Sequence, residues 1–193
     1  LHEMLKENFR RLITRDKPLE EFAERYGHEK LLFSSVGGHP EDERTVRYLQ
    51  QIAHEAGFYT DFCYLHEAGF SSEEGVFNRD GQLADFWFKL FPWEDIAADE
   101  LELTRMLAKM ADKGRSRILN PAYTLLFQSK GIMALLSEMF PDSPYLLSTA
   151  LEPFPGKAQV EKKMFGREGA NLRIIDADGH TLAETDGPYH HHK

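Results

Sequence analysis

The sequence of 193 residues has a single cysteine, Cys63. One cysteine excludes an internal disulfide and a cysteine-rich structural zinc cluster. It also fits a reducing compartment, so we expect a cytoplasmic protein. Cys63 lies inside the apolar run 58–65, and this position predicts a buried strand residue rather than a nucleophile.

Positive charge and long apolar runs are also scarce. Lysine and arginine number 23 against 32 aspartates and glutamates, which gives a net charge of −9. This balance argues against a nucleic-acid partner, which requires a basic face, but permits a nucleotide site with a few local cations. No apolar run reaches the roughly 18 residues of a membrane span, so we expect no membrane contact.

The first 119 residues alternate between strand-like and helix-like patterns. The apolar runs 30–36 and 58–65 predict buried strands, and the segment 39–57 between them predicts a helix. Pro40 suits the start of this helix and Gly57 its end. A strand, a helix and a strand in this order predict a βαβ unit with two parallel, neighbouring strands. Further helices are predicted at 1–14, after Pro18 and at 95–113, further strands at 83–91 and 118–119, and a loop or irregular hairpin at 71–82.

The pattern changes near residue 120. A helix is predicted at 129–140, followed by strands at 159–164, 172–176 and 181–184, the last two joined by an Asp178-Gly179 turn. The fold class is therefore α/β, with an open, partly parallel sheet, and α+β in the C-terminal part. We expect domains at 1–119 and 120–189, and interpret residues 190–193, with three histidines, as a tag remnant rather than a metal site.

A glycine-rich segment behind two lysines is the main candidate for chemistry. Lys162 and Lys163 end a predicted strand, and the next residues contain Gly166, Arg167 and Gly169. Glycines let the backbone N–H groups approach a ligand, and lysine and arginine match phosphate oxygens in charge. Strand alternation lets only one of the two lysines face a given side. The segment is either a polyphosphate-holding hairpin or a plain hairpin with two turn glycines and solvated charges.

Two other positions bear on phosphate binding. Lys130 falls in the first turn of the predicted helix 129–140, where a cation is unfavourable for the helix dipole, which suggests that an anion shares the site. The pair Gly37-Gly38 resembles half of a dinucleotide loop but lacks the full pattern, so a tight strand-to-helix turn explains it equally well.

Taken together, these segments resemble the synthetase domain of the glutathionylspermidine synthase family, an ATP-grasp type of carboxylate–amine ligase. The resemblance covers about residues 1–189, and its motifs are specific in combination. The matching motifs are EDERTV at 41–46, YLQ at 48–50, FKLFPWE at 88–94, NPAY at 120–123, SKG at 129–131, FP at 140–141, FGREGAN at 165–171 behind Lys162, and DGPY at 186–189.

The resemblance implies a fold, a reaction and a set of ligands. It implies that residues 1–119 form a helical lead-in with a pre-ATP-grasp-like domain, and that 120–189 form an incomplete ATP-grasp lid of antiparallel strands. It further implies ATP-dependent amide formation through an acyl phosphate, with Mg²⁺, from an acid and an amine such as glutathione and a polyamine. The residues it places at ATP are Lys130, Lys162, Gly166, Arg167, Glu168, Gly169, Ala170 and Asn171.

The family's metal ligands lie upstream of the segment matched here. We therefore expect an internal fragment of a longer ligase, with no metal ligand of its own and no activity alone. Glu94, beside Trp93, is either a contact for a cationic amine or a helix-start glutamate next to a packed ring. The alternative function is a non-catalytic α/β module for nucleotide binding or protein interaction, which would have kept the fold and lost the chemistry.

Overall fold

The computed structural model describes residues 1–15, 30–166 and 169–186. The chain divides into two compact units, Leu1–Pro121 and Ala122–Lys193. Three sequence predictions lie outside the described residues: the helix after Pro18, the loop residues Arg167 and Glu168, and the histidines at 190–192.

The predicted βαβ unit is confirmed in the first unit. Strand β1 (Lys30–Ser35), helix α2 (Pro40–Ala56) and strand β2 (Tyr59–Tyr64) follow one another, and the two strands pair in parallel with Phe33 beside Phe62. Gly57 ends α2 with a φ of 119°, a conformation that glycine adopts without steric cost. Helix α1 (His2–Arg15) precedes this unit.

A small antiparallel sheet follows β2. Its strands are β3 (Gly69–Ser71), β4 (Gly75–Phe77) and β5 (Leu83–Ala84), with β4 in the centre. The sequence predicted a loop or irregular hairpin at 71–82, and the structure contains a hairpin there with a third short strand added. This sheet packs near the main sheet, because the ring of Phe70 contacts Trp87 edge-on at a centroid distance of 5.2 Å.

The main sheet has two further strands on the side of β1 opposite to β2. Strand β6 (Phe86–Leu90) pairs with β1 in parallel, and β7 (Arg117–Ile118) pairs with β6 in parallel, which gives the order β2-β1-β6-β7. The chain therefore reverses its direction of winding between β1 and β6. In open parallel sheets such a switch point, at the carboxyl ends of the strands, is where ligands usually bind.

The single helix predicted at 95–113 is instead two helices, α3 (Trp93–Asp99) and α4 (Leu101–Asp112). Glu100 separates them with φ −122° and ψ 58°, outside the helical region. The break is stabilised locally, because the hydroxyl of Thr104 donates to the carbonyl of Ile96 and the Thr104 N–H donates to the carbonyl of Glu100. A periodic apolar stripe continues through such a break, so periodicity alone does not detect it.

The hydrophobic core lies mainly between the parallel sheet and its first two helices. Leu31 and Phe33 of β1 face α2, whose Val46 and Ala53 are buried against them. The opposite face of the sheet is more polar, and it includes Cys63, which is fully buried as predicted. Burial raises the pKa of the Cys63 thiol, which disfavours the thiolate that a nucleophile needs.

The second unit contains two helices and an antiparallel sheet. Helices α5 (Leu125–Gln128) and α6 (Gly131–Met139) precede strands β8 (Gln159–Lys162), β9 (Leu172–Ile175) and β10 (Thr181–Thr185). Strand β9 is central, and the turn between β9 and β10 contains Gly179 with a φ of 89°. The predicted fold class is confirmed. In the part of the chain that the structure describes, no helix has the length and apolarity to cross a bilayer.

Candidate functional site

Lys130 connects the start of α6 with the glycine-rich loop of the second unit. It immediately precedes α6, and its half-buried side chain carries the ammonium to 2.6 Å from the carbonyl oxygen of Gly166. Its backbone N–H donates to the carbonyl of Met164 at 2.8 Å. Two hydrogen bonds therefore fix Lys130 against the chain that leaves β8, and they place a cation where the loop begins.

The far end of the loop also has a defined backbone. Gly169 has a φ of 74° and Asn171 a φ of 54°, both in the left-handed region that glycine and asparagine tolerate best. The carbonyl of Gly169 accepts a hydrogen bond from the hydroxyl of Thr185 in β10. Ala170 is half-buried between these two turn residues. The two described ends of the loop are thus each tied to the second unit by a side chain.

Lys162 is the last residue of β8 and its side chain is exposed. It pairs with Leu172 at the end of the ladder, immediately before the loop. Alternation along β8 places Lys162 on the same exposed face as Val160, whereas Glu161 lies on the other face and forms an ion pair with Arg173. Lys163 follows the strand and is also exposed.

The structure thus brings three predicted features to one end of the β8–β9 hairpin: Lys130, the start of the glycine-rich loop, and Lys162. Arg167 and Glu168 lie outside the described residues. A phosphate-binding cleft formed by both lysines stays a prediction.

A buried lysine, which the sequence shows only as part of the FKLFPWE motif, lies at the carboxyl end of β6. The side chain of Lys89 is fully buried. Its ammonium donates to the carbonyl of Phe91 at 2.8 Å and lies 4.0 Å from the ring centre of Trp93. A lysine within a strand that is apolar on both faces is the sequence signal that could have revealed it, because such strands are normally filled by apolar residues.

Asn120 and Trp93 complete the surroundings of Lys89. The Asn120 side-chain amide donates to the backbone carbonyl of Lys89 at 2.6 Å, and the Trp93 indole N–H donates to the Asn120 carbonyl at 2.7 Å. Trp93 is 7% exposed, so its ring is a buried anchor rather than an open aromatic platform. The segment between β6 and α3 is therefore held from two sides.

Glu94 follows Trp93 in the first turn of α3, and its side chain is half-buried. The sequence suggests that a carboxylate beside this aromatic ring suits a cationic amine. In the structure a cation of the chain itself, the Lys89 ammonium, lies over the Trp93 ring and interacts electrostatically with Glu94. Substrate contact by Glu94 stays a prediction.

The neighbouring strand end at the switch point carries another buried polar group. Ser35 ends β1, and its hydroxyl is buried with no hydrogen-bond partner among the described residues. On the next strand, the hydroxyl of Tyr64 donates to the carboxylate of Glu43 at 2.9 Å, which raises the pKa of Tyr64. Polar groups thus collect at the carboxyl ends of β1, β2 and β6, as expected for a ligand-binding edge.

The charge state of Lys89 should couple stability to pH. Burial lowers the pKa of its ammonium from 10.5 to about 8, although the nearby Glu94 carboxylate opposes the shift. The folded state then releases a proton near pH 8, whereas the unfolded chain keeps it until about pH 10.5. The free energy of unfolding should therefore rise between these pH values, by about 3 kcal/mol for a shift of this size.

Urea unfolding at a series of pH values from 7 to 10 measures this effect. The variant Lys89→Met shares every other titrating group, so the difference between the two stability curves isolates Lys89. We expect the wild type to gain stability relative to the variant as the pH rises. Parallel curves across the range would show that the buried ammonium has an ordinary pKa.

The described residues form a parallel α/β unit with a switch point, followed by an antiparallel sheet whose glycine-rich loop is contacted by Lys130, and this architecture places the protein in the mixed α/β class. The family described as Glutathionylspermidine synthase preATP-grasp matches residues 1–193. The chain belongs to this family.

Three curated relatives are also similar to this chain in sequence. A provisionally named acid–amine ligase of Haemophilus influenzae is 30% identical over 137 residues, which covers 68% of this chain and 33% of that protein. The trypanothione synthetase of Crithidia fasciculata is 26% identical, over 80% of this chain and 27% of that protein. The bifunctional glutathionylspermidine synthetase/amidase of Escherichia coli is 22% identical, over 77% of this chain and 28% of that protein. The chain spans 27–33% of the length of these curated relatives.

Proposed function

We propose that this chain contributes nucleotide-contacting residues to an ATP-dependent carboxylate–amine ligase. The observation that carries the proposal is the Lys130 ammonium, which lies 2.6 Å from the Gly166 carbonyl at the start of the glycine-rich loop. Membership of a synthetase family, and the synthetase and ligase names of the relatives, support the reaction class.

The residues of the second unit fit a polyphosphate. Lys130 and Lys162 would offset the negative charge of the phosphate oxygens, and such charge neutralisation is the main contribution of a protein to phosphoryl transfer. Gly166 and Gly169 would let backbone N–H groups approach the same oxygens closely. ATP, when bound, would supply the phosphoryl group that converts a substrate carboxylate into an acyl phosphate, with ADP as the leaving group, and attack by the amine would then form the amide and release phosphate.

The described residues do not offer a convincing site for Mg²⁺. Asp176, Asp178 and His180 approach one another in the β9–β10 turn. Asp176, however, already accepts the N–H groups of both other residues and contacts the His180 ring, so its carboxylate is used to form the turn. We therefore propose that the metal ligands lie in the parts of a ligase that this chain does not span.

The substrates are proposed as a small acid and a small amine, acted on in the cytoplasm. Glutathione and spermidine appear in the name of the Escherichia coli relative, which makes them the first pair to test. The excess of acidic over basic residues is compatible with a cationic amine and unfavourable for nucleic acid.

Nucleotide binding by single-site variants tests the lysine assignment. Lys130→Ala and Lys162→Ala should each weaken the affinity for ATP about tenfold or more, because one charged contact contributes roughly 1.5–3 kcal/mol. Lys163→Ala is the matched control, since it removes the same charge one residue further along and should change the affinity less than threefold. Titration calorimetry with ATP measures all four proteins. Equal losses for Lys162 and Lys163 would show a non-specific charge effect and contradict the assignment.

ADP release separates the ligase from a non-catalytic module. The chain alone should release no amine-dependent ADP, whereas a polypeptide of its relatives' length that contains this sequence should do so with a suitable acid and amine. Lys162→Ala in that longer polypeptide should reduce the rate at least tenfold. Full activity of this variant would refute the role of Lys162. ATP binding without any ADP release by the longer polypeptide would favour the non-catalytic alternative.

A further inference from the structure

The segment 91–94 runs from the end of β6 into the first turn of α3, at the carboxyl edge of the parallel sheet and beside the switch point between β1 and β6. Three contacts hold it in place. The Lys89 ammonium donates to the Phe91 carbonyl, the same ammonium lies over the Trp93 ring, and the Trp93 indole donates to the carbonyl of Asn120. Two of these three contacts depend on one side chain, that of Lys89.

Holding this segment with a fully buried ammonium lowers the stability of the fold. Desolvation of a charge costs several kcal/mol, and an apolar residue of similar volume is often neutral or stabilising at such a position. On this face Lys89 lies beside Ser34 of β1, which is buried and accepts a hydrogen bond from the Trp87 indole, so these neighbouring residues are apolar or weakly polar and carry no charge that would require an ammonium. Packing of the sheet alone therefore does not explain a lysine here, whereas control of the segment that follows does.

The contacts of Lys89 affect the position and the surroundings of Glu94. The ammonium holds the carbonyl of Phe91 and the ring of Trp93, which are three residues and one residue before Glu94, and it interacts electrostatically with the Glu94 carboxylate itself. Glu94 stands in the first turn of α3. Lys89 thus determines both the path of the backbone into α3 and the electrostatic environment of its first-turn glutamate.

We propose that Lys89 is a positioning residue that fixes the segment 91–94, so that Glu94 presents its carboxylate to the amine substrate at the carboxyl edge of the sheet. The substrate part of this proposal rests on the ligase function proposed above. Lys89 itself is enclosed and acts through Glu94. Arginine at this position would keep the cation and its stacking on the ring, whereas methionine would keep only the length and the apolar stem.

Three variants of the chain test the proposal: Lys89→Met, Lys89→Arg and Glu94→Gln. Backbone hydrogen exchange reports the order of the segment. In Lys89→Met the amides of Phe91 and of residues 93–96 should exchange at least tenfold faster, while those of β1 keep their protection and show that the unit is folded. In Lys89→Arg the same amides should stay within about threefold of the wild type.

Spermidine binding, measured by titration calorimetry at pH 7, reports the function of the segment. Lys89→Met and Glu94→Gln should each weaken binding at least tenfold, and the double variant should be no weaker than the worse single variant, because both act through one carboxylate. Lys89→Arg should restore affinity to within about threefold of the wild type.

Several outcomes would overturn the proposal. Faster exchange in Lys89→Met with unchanged spermidine affinity would make Lys89 a structural residue only. Additive losses in the double variant would show that the two residues act independently, and absence of spermidine binding by the wild type would remove the role of Glu94. None of these results depends on Lys130 or Lys162. The ATP-binding test of the proposed function can therefore fail while this proposal holds, and the reverse is also possible.

Discussion

Replacing Phe33 with alanine should lower the free energy of unfolding of the unit Leu1–Pro121 by about 3–5 kcal/mol. Phe33 belongs to the core cluster and is fully buried in β1. Its ring contacts Phe9 of α1 and Phe88 of β6 at centroid distances of 6.4 and 5.7 Å. The substitution would leave a cavity between the sheet and two helices, and these elements are too constrained to close it completely.

Chemical denaturation followed by circular dichroism measures the change. Leu101→Ala is the matched control, because Leu101 is also a large apolar residue but is 53% exposed at the start of α4. Alanine is a good helix former, so the control should remain within about 0.5 kcal/mol of the wild type. A loss below about 1 kcal/mol for Phe33→Ala would show that the core of this unit is not centred on β1.

Gly75→Ala should have a comparable effect for a different reason, with a loss of about 3 kcal/mol or more. Gly75 begins β4 with a φ of 133°, and a Cβ at this position would lie 2.2 Å from the hydroxyl oxygen of Ser116. That hydroxyl cannot easily move, since it accepts from the Val76 N–H at 2.8 Å and donates to the Ala84 carbonyl at 2.6 Å. The methyl group would therefore strain the backbone and break a buried hydrogen-bond pair.

Gly81→Ala separates strain from steric overlap. Gly81 also has a positive φ, 73°, but a Cβ there would have no atom within 4 Å. Its substitution should cost about 1 kcal/mol, the usual penalty for a non-glycine residue in the left-handed region. Thermal unfolding of both variants gives the comparison. Similar losses in the two proteins would mean that the Ser116 contact is unimportant and that only the backbone conformation matters.

The parts of the fold predicted correctly are those that local sequence specifies. The apolar runs at 30–36 and 58–65, with a proline and a glycine at the two ends of the helix between them, are sufficient to predict the βαβ unit. The hairpin turn at Asp178-Gly179 is predictable for the same reason, because its residues favour one backbone conformation. Helix α4 was placed well but joined wrongly to α3, since the non-helical backbone at Glu100 leaves the apolar period unchanged.

The candidate site was predictable only in its residue types. Two glycines, an arginine and lysines are compatible with an anion site, and the family resemblance implies that the anion is ATP; both stay predictions. The contact between the Lys130 ammonium and the Gly166 carbonyl joins positions 36 residues apart. No local pattern contains such a contact, because it depends on where α6 meets the end of β8.

The sequence by itself determined the fold class and most of the elements that carry the candidate residues, because propensity, periodicity and turn residues act over short distances along the chain, and its motifs carried the resemblance to the family. Only the tertiary structure decided which polar groups are buried and what they contact. Lys89 is the clearest case: the sequence shows a lysine among aromatic residues, and the packing of β6 and the segment 91–94 makes it a buried cation with a lowered pKa. Burial is a property of several chain segments together, so it is fixed only when the sheet and its covering segments are assembled.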